Sequence, residues 1–280
     1  MKIALVQMNI QLADAEANRI TAERLIREAA EGGADTLVLP ETWNLGFFPK
    51  ERLAELAETP AGESKKLLAE LAKEYGVNIV GGSLVTRRGN RVYNRALVIG
   101  RDGKEIASYD KIHLFSPSGE QDYFTAGSQI CTFELDGISA GLITCYDLRF
   151  AELVRSLALR GIKILFVPAA WPHPRLSHWQ ILNRARAIEN QVYVACVNGC
   201  GVADELDFCG HSMVIDPLGE ILAEAEEDEG IFAAEVDFTS MDEIRANINV
   251  FRDRRPGVYD LSYDFTKKNP GRKIRKSSKD

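Results

Sequence analysis

Gly137-Ile138-Ser139-Ala140-Gly141-Leu142-Ile143-Thr144-Cys145-Tyr146-Asp147-Leu148-Arg149-Phe150 runs from an apolar, strand-forming segment into a helix-forming one, with Cys145 at the junction. A residue on a sharp strand-to-helix turn is thrust out of the sheet. There its side chain can attack a substrate, and the backbone N–H groups just after it can cradle an oxyanion. Taken by itself, the same cysteine is equally a small buried hydrophobe.

Two further stretches shift the reading towards a nucleophile. In Asp35-Thr36-Leu37-Val38-Leu39-Pro40-Glu41-Thr42-Trp43 a short β-forming run stops at a proline, and a carboxylate follows at once. In Ser108-Tyr109-Asp110-Lys111-Ile112-His113-Leu114-Phe115 an ammonium sits among aromatic and aliphatic neighbours. Alone, Glu41 reads as a helix cap and Lys111 as a side chain that snorkels to solvent. Together, a carboxylate, an ammonium and a thiol each close a predicted strand, in that chain order.

These stretches resemble the nitrilase superfamily of carbon–nitrogen hydrolases, whose triad is Glu, Lys and Cys in this order. The resemblance continues through Pro168-Ala169-Ala170-Trp171-Pro172, Arg184-Ala185-Arg186-Ala187-Ile188-Glu189-Asn190 and Phe251-Arg252-Asp253-Arg254-Arg255-Pro256. It covers residues 1–258, with no departure at a triad position. It implies an α/β fold, a four-layer α–β–β–α sandwich, paired into a homodimer or higher oligomer, and it implies Glu41, Lys111 and Cys145 as catalytic residues. It further implies that Glu120, from the loop after Lys111, orients substrate and lysine. Residues 259–280 form a C-terminal extension, expected to be mobile or to pack on a partner subunit.

Composition agrees with a soluble enzyme. The 280 residues, 45% hydrophobic and 27% charged, suit one large α/β domain. A net charge of −7 argues against a general nucleic-acid binder. The run from Lys267 to Asp280 is basic, but one short basic run makes no such site. The start reads as a strand and not as an export signal, and no apolar run approaches the roughly 18 residues of a membrane span. Five cysteines, an odd number without a framework, point to a reducing cytoplasm. Cys196 and Cys200, with Cys209 and His211 nearby, lack the matched second pair of a zinc site. No metal and no cofactor are expected.

Hydrophobic periodicity predicts strands over 2–8, 35–39, 77–85, 91–99, 164–168, 192–197, 211–215, 221–223 and 231–236. Helices are predicted over 16–31, 64–75, 151–159, 176–189 and 239–246, several ended by glycines.

The chemistry assigns each residue type a task. A neutral thiol is a poor nucleophile, so Cys145 needs a base or a nearby cation. Glu41 is that base. Lys111 favours the thiolate and binds the oxyanion beside the Tyr146 backbone N–H. His113, two residues past Lys111, is read as a supporting residue and not as the base of a Cys–His pair. Asp147, Arg149 and Glu189 read as buried structural ion pairs. Tyr146, Phe115 and Trp171 are read as substrate-binding or orienting residues, and Arg175, in Trp171-Pro172-His173-Pro174-Arg175, as the anchor for a substrate carboxylate. With the Lys111–Glu120 segment this resembles the ω-amidase branch, which hydrolyses the terminal amide of 2-oxo acids such as 2-oxoglutaramate. A nitrile, an N-carbamoyl amino acid, deaminated glutathione and a non-catalytic scaffold are the competing readings.

Overall fold

Successive residues of the first strand, β1 (Lys2–Gln7), feed two different apolar layers, as the two-residue period of a strand requires. Ile3 and Leu5 point one way and Ala4 and Val6 the other, all buried. A strand apolar on both faces needs cover on both faces. In the computed structural model, which describes residues 1–47, 49–259 and 261, that cover is a second sheet on one side and helices on the other.

The first sheet contains β1, β2 (Thr36–Val38), β3 (Asn78–Arg88), β4 (Arg91–Ile99), β5 (Glu105–Asp110) and, far along the chain, β14 (Gly230–Glu235), in the order β14-β1-β2-β3-β4-β5. The second contains β6 (Cys131–Leu135), β7 (Ile138–Leu142), β8 (Ile164–Ala169), β9 (Tyr193–Asn198), β12 (Met213–Ile215) and β13 (Ile221–Glu224), in the order β13-β12-β9-β8-β7-β6. Between the sheets pack Leu5, Val80 and Val98 of the first and Phe133, Leu142, Phe166 and Val197 of the second. Helices α1 (Ala15–Glu31) and α3 (Glu63–Tyr75) cover the outside of the first sheet with Leu25, Ile26, Leu68 and Leu71. Helices α4 (Ala151–Ala158) and α5 (Leu176–Asn190) cover the second with Val154, Leu157, Trp179 and Ala187. The layers are therefore α–β–β–α, the expected sandwich.

Most element boundaries differ from the sequence expectation by at most two residues, and β3 runs three residues further, to Arg88. The strand expected from His211 begins at Met213, because His211 adopts a left-handed φ of 50°. The helix after the Cys145 turn starts at Ala151, where the periodicity places it. A 3₁₀ segment, Cys145–Arg149, intervenes before α4. The hairpin of β10 (Cys200–Ala203) and β11 (Leu206–Cys209), strand β6, and the short helix α2 (Leu53–Leu56) were not anticipated. A last helix, α6 (Met241–Asn247), follows β14.

By its internal contacts the chain divides into Met1–Ile248 and Asn249–Asp280. In the second unit Pro256–Val258 forms a 3₁₀ turn, and the Arg255 N–H donates to the Tyr259 hydroxyl at 3.2 Å. The basic run expected to extend to a partner lies outside the described residues. Among the described residues no helix is long and apolar enough to cross a membrane.

Candidate active site

Glu41, Lys111 and Cys145 leave the sheets at carboxyl ends of strands: Glu41 just past β2, Lys111 directly after β5, and Cys145 beyond β7. Strands β2 and β7 have parallel neighbours, and the outer end of parallel strands is where α/β folds collect their sites. Two close backbone approaches set these ends. Gly82 has φ of 59°, and a Cβ there would meet the Pro40 carbonyl at 2.0 Å. A Cβ on Gly127 would meet the Asp110 carbonyl at 1.9 Å. Only glycine lets the chain pass beneath the Glu41 and Lys111 segments.

All three side chains are buried. Lys111 does not snorkel: Nζ donates to Glu41 Oε1 at 2.8 Å and to Glu120 Oε1 and Oε2 at 3.1 and 2.9 Å. Glu41 does not cap a helix. Its Oε2 accepts the Ala170 backbone N–H at 2.9 Å, which ties the end of β2 to the end of β8 across the two sheets. Glu120, 0% exposed, also accepts the Phe115 N–H. Burial alone would lower the Lys111 pKa, but Glu41 and Glu120 outweigh it and hold the ammonium well above the ordinary lysine value.

Cys145 has φ of 48°, a left-handed conformation that non-glycine residues adopt at a cost of about 1–3 kcal/mol and that gathers at functional sites. Burial and the Glu41 carboxylate push its thiol well above the usual range, and Lys111 only partly opposes them. Cys145 Sγ donates to the Ala170 carbonyl at 3.9 Å. Lys111 favours the thiolate in direction, as expected, but burial and Glu41 outweigh it.

A second network supports the first. Asp147, completely buried, accepts Tyr109 Oη–H at 2.7 Å and Thr144 N–H at 3.0 Å on Oδ2. On Oδ1 it meets His113 N–H at 2.9 Å and His113 Nδ1 at 2.8 Å. These contacts fasten the residues flanking Lys111 to the residues flanking Cys145. His113 does not share the face of Lys111, since β5 has ended at Asp110. Its ring turns to Asp147 and stacks on Phe150 with centroids 3.5 Å apart.

Of the charged trio expected as buried ion pairs, Glu189 is paired, but its side chain is 39% exposed. Glu189 meets Arg186 at 2.8 Å. Asp147 has the partners just described, none of them a lysine or arginine. Arg149 lies over the Trp171 ring at 4.8 Å and, among the described residues, has no carboxylate within 4.0 Å. Instead it lines a cavity of about 80 Å³ with Cys145, Tyr146, Phe115, Trp171 and Arg175. Arg175 lies over the Phe115 ring at 5.4 Å and likewise has no carboxylate partner among the described residues. Trp171 serves as wall and not as donor, because its Nε1–H is given to the Arg175 carbonyl at 2.8 Å. Tyr146 packs edge-on to Phe115 and Phe150.

Sequence reasoning missed three features of this site. Asn94, whose amide touches both Glu41 and Glu120, was detectable as a polar residue at an inward position of the otherwise apolar β4. Arg149 as a cavity residue had no local signal beyond its place four residues after Cys145. Leu206, in the lining of the cavity, comes from the unanticipated hairpin. Of the thiols weighed as metal ligands, Cys200 and Cys209 face each other across that hairpin, and Cys196 donates to the Met213 carbonyl at 3.4 Å. Among the described residues no cluster of three or more His, Cys, Asp or Glu is arranged to hold a metal ion.

Comparison with known proteins gives this arrangement a context. The carbon-nitrogen hydrolase family model matches residues 2–246. The chain is 41% identical over 257 residues to the 2-oxoglutaramate amidase of Bacillus subtilis, covering 92% of this chain and 98% of that one. It is 37% identical to the omega-amidase NIT2 of Homo sapiens, covering 92% and 96%. Among solved structures, Nit3 of Saccharomyces cerevisiae, a nitrilase-superfamily member, superimposes with a TM-score of 0.85 at 30% identity over 91% of this chain and 96% of that one. An amidase from Nesterenkonia sp. AN1, seen with acrylamide added to its active-site cysteine, superimposes with a TM-score of 0.78 at 29% identity over 89% and 98%. The two stacked sheets, the strand ends that carry Glu41, Lys111 and Cys145, and these matches over nearly the whole length place the chain in the carbon–nitrogen hydrolase family.

Proposed function

We propose that the protein is a thiol amidohydrolase that cleaves the terminal amide of a small carboxylated substrate, 2-oxoglutaramate or a similar 2-oxo acid amide, to the acid and ammonia. The observation that carries the substrate class is the cavity over Cys145, with apolar walls and two guanidinium groups, Arg149 and Arg175, that have no carboxylate partner among the described residues. Burial and the neighbouring Arg175 lower the Arg149 pKa, and the guanidinium remains charged at neutral pH. Two cations at one wall of a protein of net charge −7 create a local focus for an anion.

In this reading the Cys145 thiol attacks the amide carbon and passes its proton to Glu41. Lys111 and the Tyr146 N–H stabilise the oxyanion, each such donor contributing about 2.7–4 kcal/mol. Glu41 returns the proton to the departing ammonia, then takes one from the water that hydrolyses the thioester. Glu120 holds Lys111 and the Phe115 backbone in place. The 2-oxoglutaramate amidase and omega-amidase among its relatives support this substrate class.

An oligomer finds support in exposed apolar side chains on and beside α5, namely Ile181, Ile188, Leu218 and Leu222. A cytoplasmic location finds support in five unpaired thiols. The decisive experiment measures ammonia release from 2-oxoglutaramate, an uncharged short amide, a nitrile and an N-carbamoyl amino acid. The reading requires 2-oxoglutaramate to lead by at least tenfold in kcat/KM. Preference for the nitrile or the carbamoyl compound would overturn it, and so would inactivity on all four.

A further inference from the structure

The centre of the site contains more negative charge than the lysine alone balances. Glu41 and Glu120 both face Lys111, and like charges so close raise the cost of keeping both ionised. A neutral side chain stands between them. Asn94 Nδ2 donates to Glu41 Oε1 at 2.8 Å and to Glu120 Oε1 at 3.3 Å, so that each of its two hydrogens meets a different carboxylate. The Asn94 main-chain carbonyl also accepts the Lys111 N–H at 2.9 Å. One residue therefore contacts both carboxylates through its side chain and the lysine through its backbone.

Asn94 occupies an expensive position. It is 1% exposed, between Val92 and Ala96 on the inward face of β4, and its Oδ1 has no hydrogen-bond partner among the described residues. Leucine, with nearly the same shape, would fit the apolar pattern of the strand without an orphaned acceptor. Turning the amide over would aim its oxygen at two anions. Packing alone does not account for an amide here.

We propose that Asn94 is a positioning residue for the nucleophile's base. Its amide fixes Glu41 Oε1 while Oε2 accepts the Ala170 N–H, so that the carboxylate keeps one orientation. The inference rests on the proposed function only in taking Glu41 as the group that accepts the Cys145 proton.

The test measures the rate of Cys145 alkylation by iodoacetamide as a function of pH, a readout that needs no substrate. It is run on wild type, Asn94→Leu and Asn94→Ala, alongside kcat and KM per titrated Cys145 site. The titratable groups facing Glu41 are Lys111, Glu120 and Cys145, and none is altered in these variants. Losing a donor to a charged acceptor disfavours the carboxylate form. The acid limb of the alkylation profile should therefore move up by about one to two pH units in both variants, with alkylation and kcat near neutrality falling roughly ten- to a hundredfold. KM should stay within about threefold. Profiles superimposable on wild type would overturn the proposal. Failure of both variants to fold, judged by circular dichroism, would also overturn it by assigning Asn94 to the fold. If wild type alkylates with an acid limb yet hydrolyses no amide, the proposed function fails and the Asn94 assignment is still decided by the shift of that limb.

Discussion

Of five thiols in the chain, Cys145 alone lines the cavity, and the others are chemically quieted by their surroundings. Burial pushes Cys131 up to about 11, Cys200 and Cys209 each up to about 12, and Cys196 further still. Cys145 is also held up, by burial and by the Glu41 carboxylate, the group proposed to take its proton as the bond to carbon forms. We expect Cys145→Ala to abolish turnover and leave the fold intact. Mass spectrometry of the wild type with a slow substrate should place the acyl group on Cys145, and an adduct on any other cysteine would contradict the assignment. The two arginines provide a second test. Removing a charge-assisted contact commonly costs about 1.5–3 kcal/mol. Arg175→Ala should therefore raise KM for 2-oxoglutaramate roughly ten- to a hundredfold, and barely affect an uncharged amide. Equal damage to both substrates would make Arg175 structural.

Catalysis here depends on loops of different strands keeping a common register, and the link between two of them is a single buried carboxylate. Asp147 receives donors from β5 and the His113 segment on one side and from the nucleophile turn on the other. An asparagine at that position presents an NH₂ group where an oxygen accepted protons, so at least one donor pair is left facing a donor. Asp147→Asn should cost about 1–3 kcal/mol of stability in urea unfolding and lower kcat more than it raises KM. A variant with normal kcat would show that the two strand ends keep their register without the clamp. Gly127→Ala tests the Lys111 side alone. Its Cβ would stand 1.9 Å from a backbone oxygen, which cannot yield as a flexible side chain can. Overpacking of this kind costs about 1–3 kcal/mol, and displacement of Asp110 and Lys111 should reduce kcat while the helices covering the sheets are unaffected in circular dichroism.

Stacking two sheets places thiols and aromatics in a dry layer, and this has a consequence for the whole molecule at high pH. Cys131, in the layer between the sheets, is raised to about 11 by burial. In the unfolded chain the thiol ionises near 8.5. Its folded value is the higher one, so its contribution to stability is fully present below about pH 8.5 and is lost as pH climbs towards 11. Melting temperature should fall over that window. The fall should be shallower in Cys131→Val, which keeps an apolar group of similar size. Identical slopes for the two proteins would mean that the loss comes from other groups.

Local information decided a great deal about this chain. Strand alternation, glycine stops at Gly32 and Gly76, and the Pro40 break are properties of neighbouring residues, and each reappeared within a residue or two in the structure. The positions of Glu41, Lys111 and Cys145 at strand ends were legible for the same reason. Pairing was not. That β14 returns to β1, that Asn94 in the middle of a strand reaches two carboxylates from different loops, and that Arg149 faces a cavity and not a partner are outcomes of long-range packing. Sequence spacing orders the elements, whereas only the stacked sheets bring residues 50 or 100 positions apart within hydrogen-bond distance. The charge state of the nucleophile belongs to the same class, because it depends on which buried charges surround the thiol once the chain has folded.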